Sequence, residues 1–292
     1  QANRNFFYLT GLRRDNMVLV LDKCVEPAKT MLFIEEADPT MERWYGRKVT
    51  MEEAEEISGI DEVEYIYELE STLDRIMTRE DVYTAYFDTY RHQKVDLPDY
   101  NVVKANEFKT DYPGVAVKNL FPLVAEERMQ KDEDEIELTQ KAIALTKDGL
   151  CNVMANLKPG MKEYQAQADF EYIIRRGGAE WTAFPTIAGS GMNGTMLHYD
   201  TNRETMEDGT LVLLDLGARI DGYNSDITRT YPVNGRFTER QKQVYDIVLA
   251  ANREVARVAK PGMTLRELND IAKKVLAEGC MKLGLIEKED EI

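Results

Sequence analysis

Two aspartates, Asp215 and Asp226, stand where acids are out of place. They lie within residues 211–232 (LVLLDLGARIDGYNSDITRTYP). An apolar run, a turn at Asp221-Gly222 and a second run rich in Thr and aromatics predict a β-hairpin. Side chains alternate between the faces of a ladder, so the two acids share one face in either plausible register. They are directly opposite if they pair, and diagonal if Asp221-Gly222 is a two-residue turn, which is roughly 4.5–8 Å between Cβ atoms. A one-residue bulge would separate them. Asp215 is in line with Leu211 and Leu213 on a strand that reads as apolar on both faces. A lone ionised carboxylate there costs several kcal/mol, and a second beside it adds repulsion. A bridging divalent cation, an ion pair with Arg219 or Arg229, or a shared proton would relieve the strain.

The rest of the chain sets the bounds on that chemistry. Its 292 residues suffice for two domains. A hydrophobic fraction of 43% with 31% charged residues describes a soluble globular protein. The net charge of −16 argues against a nucleic-acid-binding surface. No apolar run is long enough for a membrane span, and no signal peptide opens the chain. Cys24, Cys151 and Cys280 form no CxxC pair, which predicts small, reduced core residues in a cytoplasmic protein. The opening Gln, in place of Met, is read as the mark of a fragment or processed form.

Residues 1–122 read as one α/β domain. Short apolar runs at Phe6-Phe7-Tyr8-Leu9-Thr10-Gly11, Met17 to Leu21 and Met31 to Ile34 predict strands joined by hairpins. Helical patterns follow at Met51 to Ile57 and Leu69 to Met77, then a strand at Val82 to Phe87 and a loop from Tyr90 to Asn101. His92 sits in that loop between Arg91 and Gln93 and reads as a solvated side chain. Phe121-Pro122 marks the boundary, and residues 123–292 form the second domain. There Glu126 to Leu157 reads as helical, with Ile136, Ile143, Leu150, Val153, Met154 and Leu157 on its apolar side and an acidic start at residues 131–135. It stops at Lys158-Pro159-Gly160-Met161, before a second helix to Arg176. The same arrangement recurs at Lys260-Pro261-Gly262-Met263, between helices at Thr238 to Ala259 and Leu265 to Leu283. Identical stops between matching helices predict an internal duplication.

The motifs Phe184 to Gly189 (FPTIAG), Leu197-His198-Tyr199, Leu213-Leu214-Asp215-Leu216-Gly217 and Asp226-Ile227-Thr228-Arg229-Thr230-Tyr231-Pro232 follow a helix that begins near Glu135-Ile136. In this order they resemble the pita-bread metallopeptidases, in their aminopeptidase P (Xaa-Pro aminopeptidase) and prolidase branch. Asn5 to Gly11 resembles that branch's N-terminal, creatinase-like domain. The resemblance implies an α/β (α+β) protein: a mixed α/β domain at 1–122, then an incomplete pita-bread catalytic domain, a pseudo-two-fold antiparallel sheet with flanking helices, at 123–292.

It implies also that Asp215 and Asp226 bind two divalent metal ions, manganese first with cobalt or zinc as alternatives. His198 would be the catalytic histidine that steadies the tetrahedral intermediate. The expected activity is hydrolysis of the Xaa-Pro bond at peptide N-termini through a metal-bridging hydroxide. The expected partners are proline-containing peptides and further copies of the chain, as a homodimer or homotetramer, with no nucleic acid and no membrane. Prolidase or creatinase-like hydrolysis, or a non-catalytic binding module on the same scaffold, are the alternatives. The family's further His and two Glu ligands have no counterpart in these 292 residues and are expected beyond Ile292. The chain by itself is therefore expected to bind manganese weakly and to turn over little or nothing. Calorimetric titration checks this, and micromolar or tighter binding would contradict it.

Overall fold

The computed structural model describes residues 3–91 and 97–288, so His92 lies outside the described residues. The chain divides into two compact units, 1–130 and 131–292, a boundary later than Phe121-Pro122. The helix Phe121–Met129 groups with the first unit instead of opening the second.

In the first unit the order is α1 (Arg4–Thr10), β1 (Val18–Asp22), β2 (Lys29–Ile34), α2 (Pro39–Tyr45), α3 (Met51–Ser58), β3 (Glu62–Tyr65), α4 (Leu69–Met77), β4 (Thr84–Phe87), α5 (Tyr100–Asp111), β5 (Ala116–Asn119) and α6 (Phe121–Met129). β1 pairs antiparallel with β2, and β2 parallel with β3, while β4 and β5 form a separate parallel pair. Strand β2 is buried on both faces. Leu32 and Ile34 meet Leu12, Ala54 and Ile60 on one side, and Met31 and Phe33 meet Leu69 and Ile76 on the other.

The first apolar run is a helix, where a strand was expected. Asn3 caps it by accepting the amide N–H groups of Asn5 and Phe6, and Gly11 ends it in the left-handed conformation, donating to the Phe7 carbonyl. These end signals outweigh the β-leaning aromatics between them.

The second unit holds α7 (Glu133–Asn156), α8 (Glu163–Arg176), β6 (Trp181–Thr182), β7 (Ile187–Ser190), a 3₁₀ turn at Gly191–Thr195, β8 (Leu211–Leu216), β9 (Ala218–Ile220), β10 (Tyr223–Asn224), β11 (Ile227–Pro232), α9 (Glu239–Val258) and α10 (Leu265–Lys282). The stretch expected to be helical from Glu126 is thus two helices, and the second starts at a capping box of Asp132 and Glu135. The buried side of α7 carries Ala142, Thr146, Gly149, Leu150 and Val153, whereas Ile136, Ile143 and Met154 are exposed. Gly149 faces inward where α8 packs close, and Thr146 where its hydroxyl meets Ser225 and the Ala218 amide. A Cβ on Gly149 would stand 2.5 Å from the Phe170 ring.

Helices α7 and α8 cover one face of the sheet, meeting Val212, Leu214, Leu216 and Ala218. The second helix pair repeats the close approach, with Gly279 of α10 against Ile247 of α9. The cysteines depart from the expected core positions: Cys24 and Cys151 are exposed and Cys280 is half-buried. Cys151 points outward because its neighbours Leu150 and Val153 occupy the inward stripe of α7. Among the described residues no helix is long and apolar enough to cross a membrane. Gly149→Ala is expected to destabilise the chain by about 1–3 kcal/mol through overpacking against Phe170, read as a lowered midpoint in urea unfolding.

Candidate metal centre

The geometry of the acidic hairpin follows from its turn. Asp221 and Gly222 have φ of 48° and 83°, the left-handed pair that a two-residue type I′ turn requires. The two ladder segments on either side of Gly217 keep one register. Tyr223 pairs with Ile220 next to the turn, and Thr228 pairs with Asp215 further along. Asp226 therefore lies diagonal to Asp215 on the same face.

The ladder narrows between them. Ser225 donates its amide to the Ala218 carbonyl, and a Cβ on Gly217 would stand 1.9 Å from the Ser225 carbonyl oxygen. Only bare backbone fits there. The pinch is tied to α7, where the Thr146 and Ser225 hydroxyls lie 2.6 Å apart and both accept the Ala218 amide.

Asp215 is half-buried between β7 and β11, paired with Ile187 on one side. On the other side it accepts the Thr228 hydroxyl at 2.7 Å. The face it shares with Leu211 and Leu213 is half-exposed, whereas Val212, Leu214 and Leu216 are buried. The strand is thus not buried on both sides as its composition suggested.

Partial desolvation, then the charge of Asp215 and a hydrogen bond with its carboxyl, raise the Asp226 carboxyl above its ordinary range. Neither expected arginine relieves the pair. Arg219 meets Glu180, and Arg229 donates to the Thr228 carbonyl. Two hard oxygen ligands short of positive charge suit a divalent cation in their chemistry. They are a partial set, since among the described residues no three His, Cys, Asp or Glu side chains converge on one point.

His198 lies on the segment between the 3₁₀ turn and β8, and its side chain is exposed. Among the described residues no hydrogen bond or ion pair joins it to the aspartates. Its loop nevertheless starts on their face of the sheet. Gly189 pairs with Leu213, and a Cβ on Gly189 would stand 2.9 Å from the Asn193 backbone. A Cβ on Gly194 would stand 3.5 Å from the Leu213 Cβ.

Two buried side chains that sequence reasoning missed hold this loop. Glu163, the first residue of α8, is fully buried. It accepts the Ser190 amide and hydroxyl, both at 2.8 Å, and the Asn193 amide group at 3.1 Å. Its other oxygen accepts the Tyr199 hydroxyl at 2.7 Å and the Glu204 amide at 2.9 Å. Burial pushes its carboxyl up, but these donors outweigh it and hold it below the ordinary range. Asn202, left-handed at φ 49°, accepts the Ala188 amide and donates to Gln167 and the Thr186 carbonyl. An acid in a helix's first turn ordinarily reads as a solvated partner of the helix dipole, so nothing in the local sequence marked Glu163.

Residues 137–289 match metallopeptidase family M24, and residues 1–86 match the N-terminal domain of aminopeptidase P. The chain belongs to metallopeptidase family M24. Among its relatives, the Xaa-Pro aminopeptidase of Escherichia coli is 33% identical, across 100% of this chain and 67% of the relative. Human Xaa-Pro aminopeptidase 3 is 30% identical, across 99% of this chain and 57% of the relative. A Bacillus anthracis structure assigned to aminopeptidase P superposes with a TM-score of 0.95 at 43% identity, covering 99% of this chain and 69% of that one. Zinc-substituted Escherichia coli aminopeptidase P in complex with product gives a TM-score of 0.85 at 32% identity, covering 99% of this chain and 66% of that one. The chain thus spans about two thirds or less of the length of most of these relatives. The fold is that of aminopeptidase P: an N-terminal α/β domain followed by part of the M24 catalytic domain.

The Asp226 shift has a consequence for the metal-free chain. The folded state holds the Asp226 proton more tightly than the unfolded state does. That contribution to stability is fully present below the unfolded carboxylate pKa and is lost as pH rises through the folded value. Asp226→Asn is therefore expected to raise Tm at neutral pH in the presence of chelator, with the gain shrinking toward acid pH. Thermal unfolding across pH checks both the sign and the trend.

Proposed function

We propose that the protein of which these residues form part is a metal-dependent aminopeptidase that releases the first residue from peptides with proline second. The observation that carries this reading is the diagonal pair Asp215 and Asp226, set on one face of a pinched ladder with no cation among the described residues to balance it. Asp215 and Asp226 would hold the metal, two divalent ions with manganese as the first choice. A zinc-substituted form of a relative exists, so zinc remains an alternative. When bound, such ions acidify water to give hydroxide near neutral pH and polarise a carbonyl.

The chain's own residues supply the setting. Thr228 donates to one oxygen of Asp215 and so orients the carboxylate. Gly217 lets the two strands close until the acids are neighbours. His198, on a loop that begins over Leu213, would donate a hydrogen bond where negative charge develops on the scissile carbonyl. A binding-only role gains nothing from paired acids that repel each other. Substrates of this kind present a tertiary amide, which most peptidases handle poorly, and the N-terminal domain matched at 1–86 supports that branch. A cytoplasmic location and a homodimer or homotetramer belong to the same reading.

The test is release of the first residue from Xaa-Pro-Yaa peptides by the complete protein. Manganese is expected to stimulate it, Asp215→Asn and Asp226→Asn to reduce it to background, and His198→Ala to lower kcat more than it raises KM. No cleavage with any divalent metal would sink the assignment.

A further inference from the structure

We propose that Glu163 is the positioning residue for His198, a role that rests on reading His198 as the group that meets substrate. One carboxylate gathers both ends and the middle of the loop that carries it. Ser190 is where β7 ends, Asn193 lies in the 3₁₀ turn, Tyr199 is the neighbour of His198, and Glu204 is where the chain returns. The return is docked a second time by backbone: Gly160 donates to the Met206 carbonyl, Met206 to the Met161 carbonyl, and Glu163 to the Glu204 carbonyl. The first Lys-Pro-Gly-Met turn and Glu163 thus clamp one loop together.

The helix itself does not need this acid. The second turn, at residues 260–263, carries Leu265 at the equivalent first helical position, and α10 still starts with a capping box, from Thr264 and Glu267. In α8 the corresponding cap is Gln165, which receives the Lys162 amide. Glu163 is therefore spare for the helix and committed to the loop. Its five donors need an acceptor-only group. A glutamine places an NH₂ group against one set of them. Facing Ser190 and Asn193, it would strand the Ser190 amide N–H and one N–H of the Asn193 amide group, which keeps its bond to the Tyr199 hydroxyl. Facing Tyr199 and Glu204, it strands only the Glu204 N–H, because the tyrosine hydroxyl can turn and accept.

Glu163→Gln in the full chain separates a positioning role from a merely structural one. Hydrogen exchange of the Glu204 amide is expected to speed up roughly ten- to hundred-fold, and that of Ser190 less. The His198 imidazole resonance, assigned with His92→Gln because the chain has two histidines, is expected to shift and broaden. Ile174→Ala, which opens the core beneath the same helix, should lower stability and leave that resonance in place. Tyr199→Phe should move the resonance without speeding the Glu204 amide, and this keeps the test intact if Glu163→Gln does not fold. An unchanged His198 resonance in both loop variants, or an equal change in Ile174→Ala, overturns the proposal. Failure of the complete protein to cleave Xaa-Pro peptides would instead sink the peptidase reading and leave these measurements standing.

Discussion

Two like charges held one diagonal step apart are the constraint that the catalytic unit is built around. Left alone they repel, and partial burial first, then that repulsion, raises the Asp226 carboxyl. The fold keeps them together by local means. A left-handed pair at Asp221-Gly222 sets the register, and the bare backbone of Gly217 lets the strands close. Thr146 and Ser225 tie the pinch to α7. Helices α7 and α8 bury the opposite face, so the acids stand on the side left half-exposed.

A second, independent anchor serves the loop with His198. It is electrostatic where the first is steric. A buried carboxylate is costly unless donors surround it, and Glu163 meets five of them. Removing donors would leave a buried charge unpaired, so the arrangement favours one loop conformation over others. Rigid support of this kind is what the proposed role of His198 needs, because that residue sits on a connecting segment instead of a strand.

The N-terminal unit follows a different logic. Its central strand β2 is covered on both faces, so its hydrophobicity is continuous and carries no alternation to read. Its aromatics are accordingly ambiguous. Phe6, Phe7 and Tyr8 lean toward strand by type, yet form a helix because Asn3 and Gly11 satisfy its ends.

By itself the sequence determined the periodic elements and that the two acids share a face. The hairpin, the helices on either side of each Lys-Pro-Gly-Met turn, and the shared face of Asp215 and Asp226 follow from spacing and turn chemistry, which act over a few residues. Tertiary structure decided what depends on which surfaces meet. It put Ala142, Thr146 and Gly149 inward on α7 in place of Ile136, Ile143 and Met154, with Gly149 where the Phe170 ring of α8 leaves no room for a Cβ and Thr146 where its hydroxyl meets Ser225 and the Ala218 amide. It turned Cys24 and Cys151 outward, and it directed Arg219 and Arg229 to partners other than the aspartates. It also buried Glu163, whose donors come from residues up to 41 positions away. Long-range donors leave no local pattern, so such a residue becomes visible only once the chain has folded.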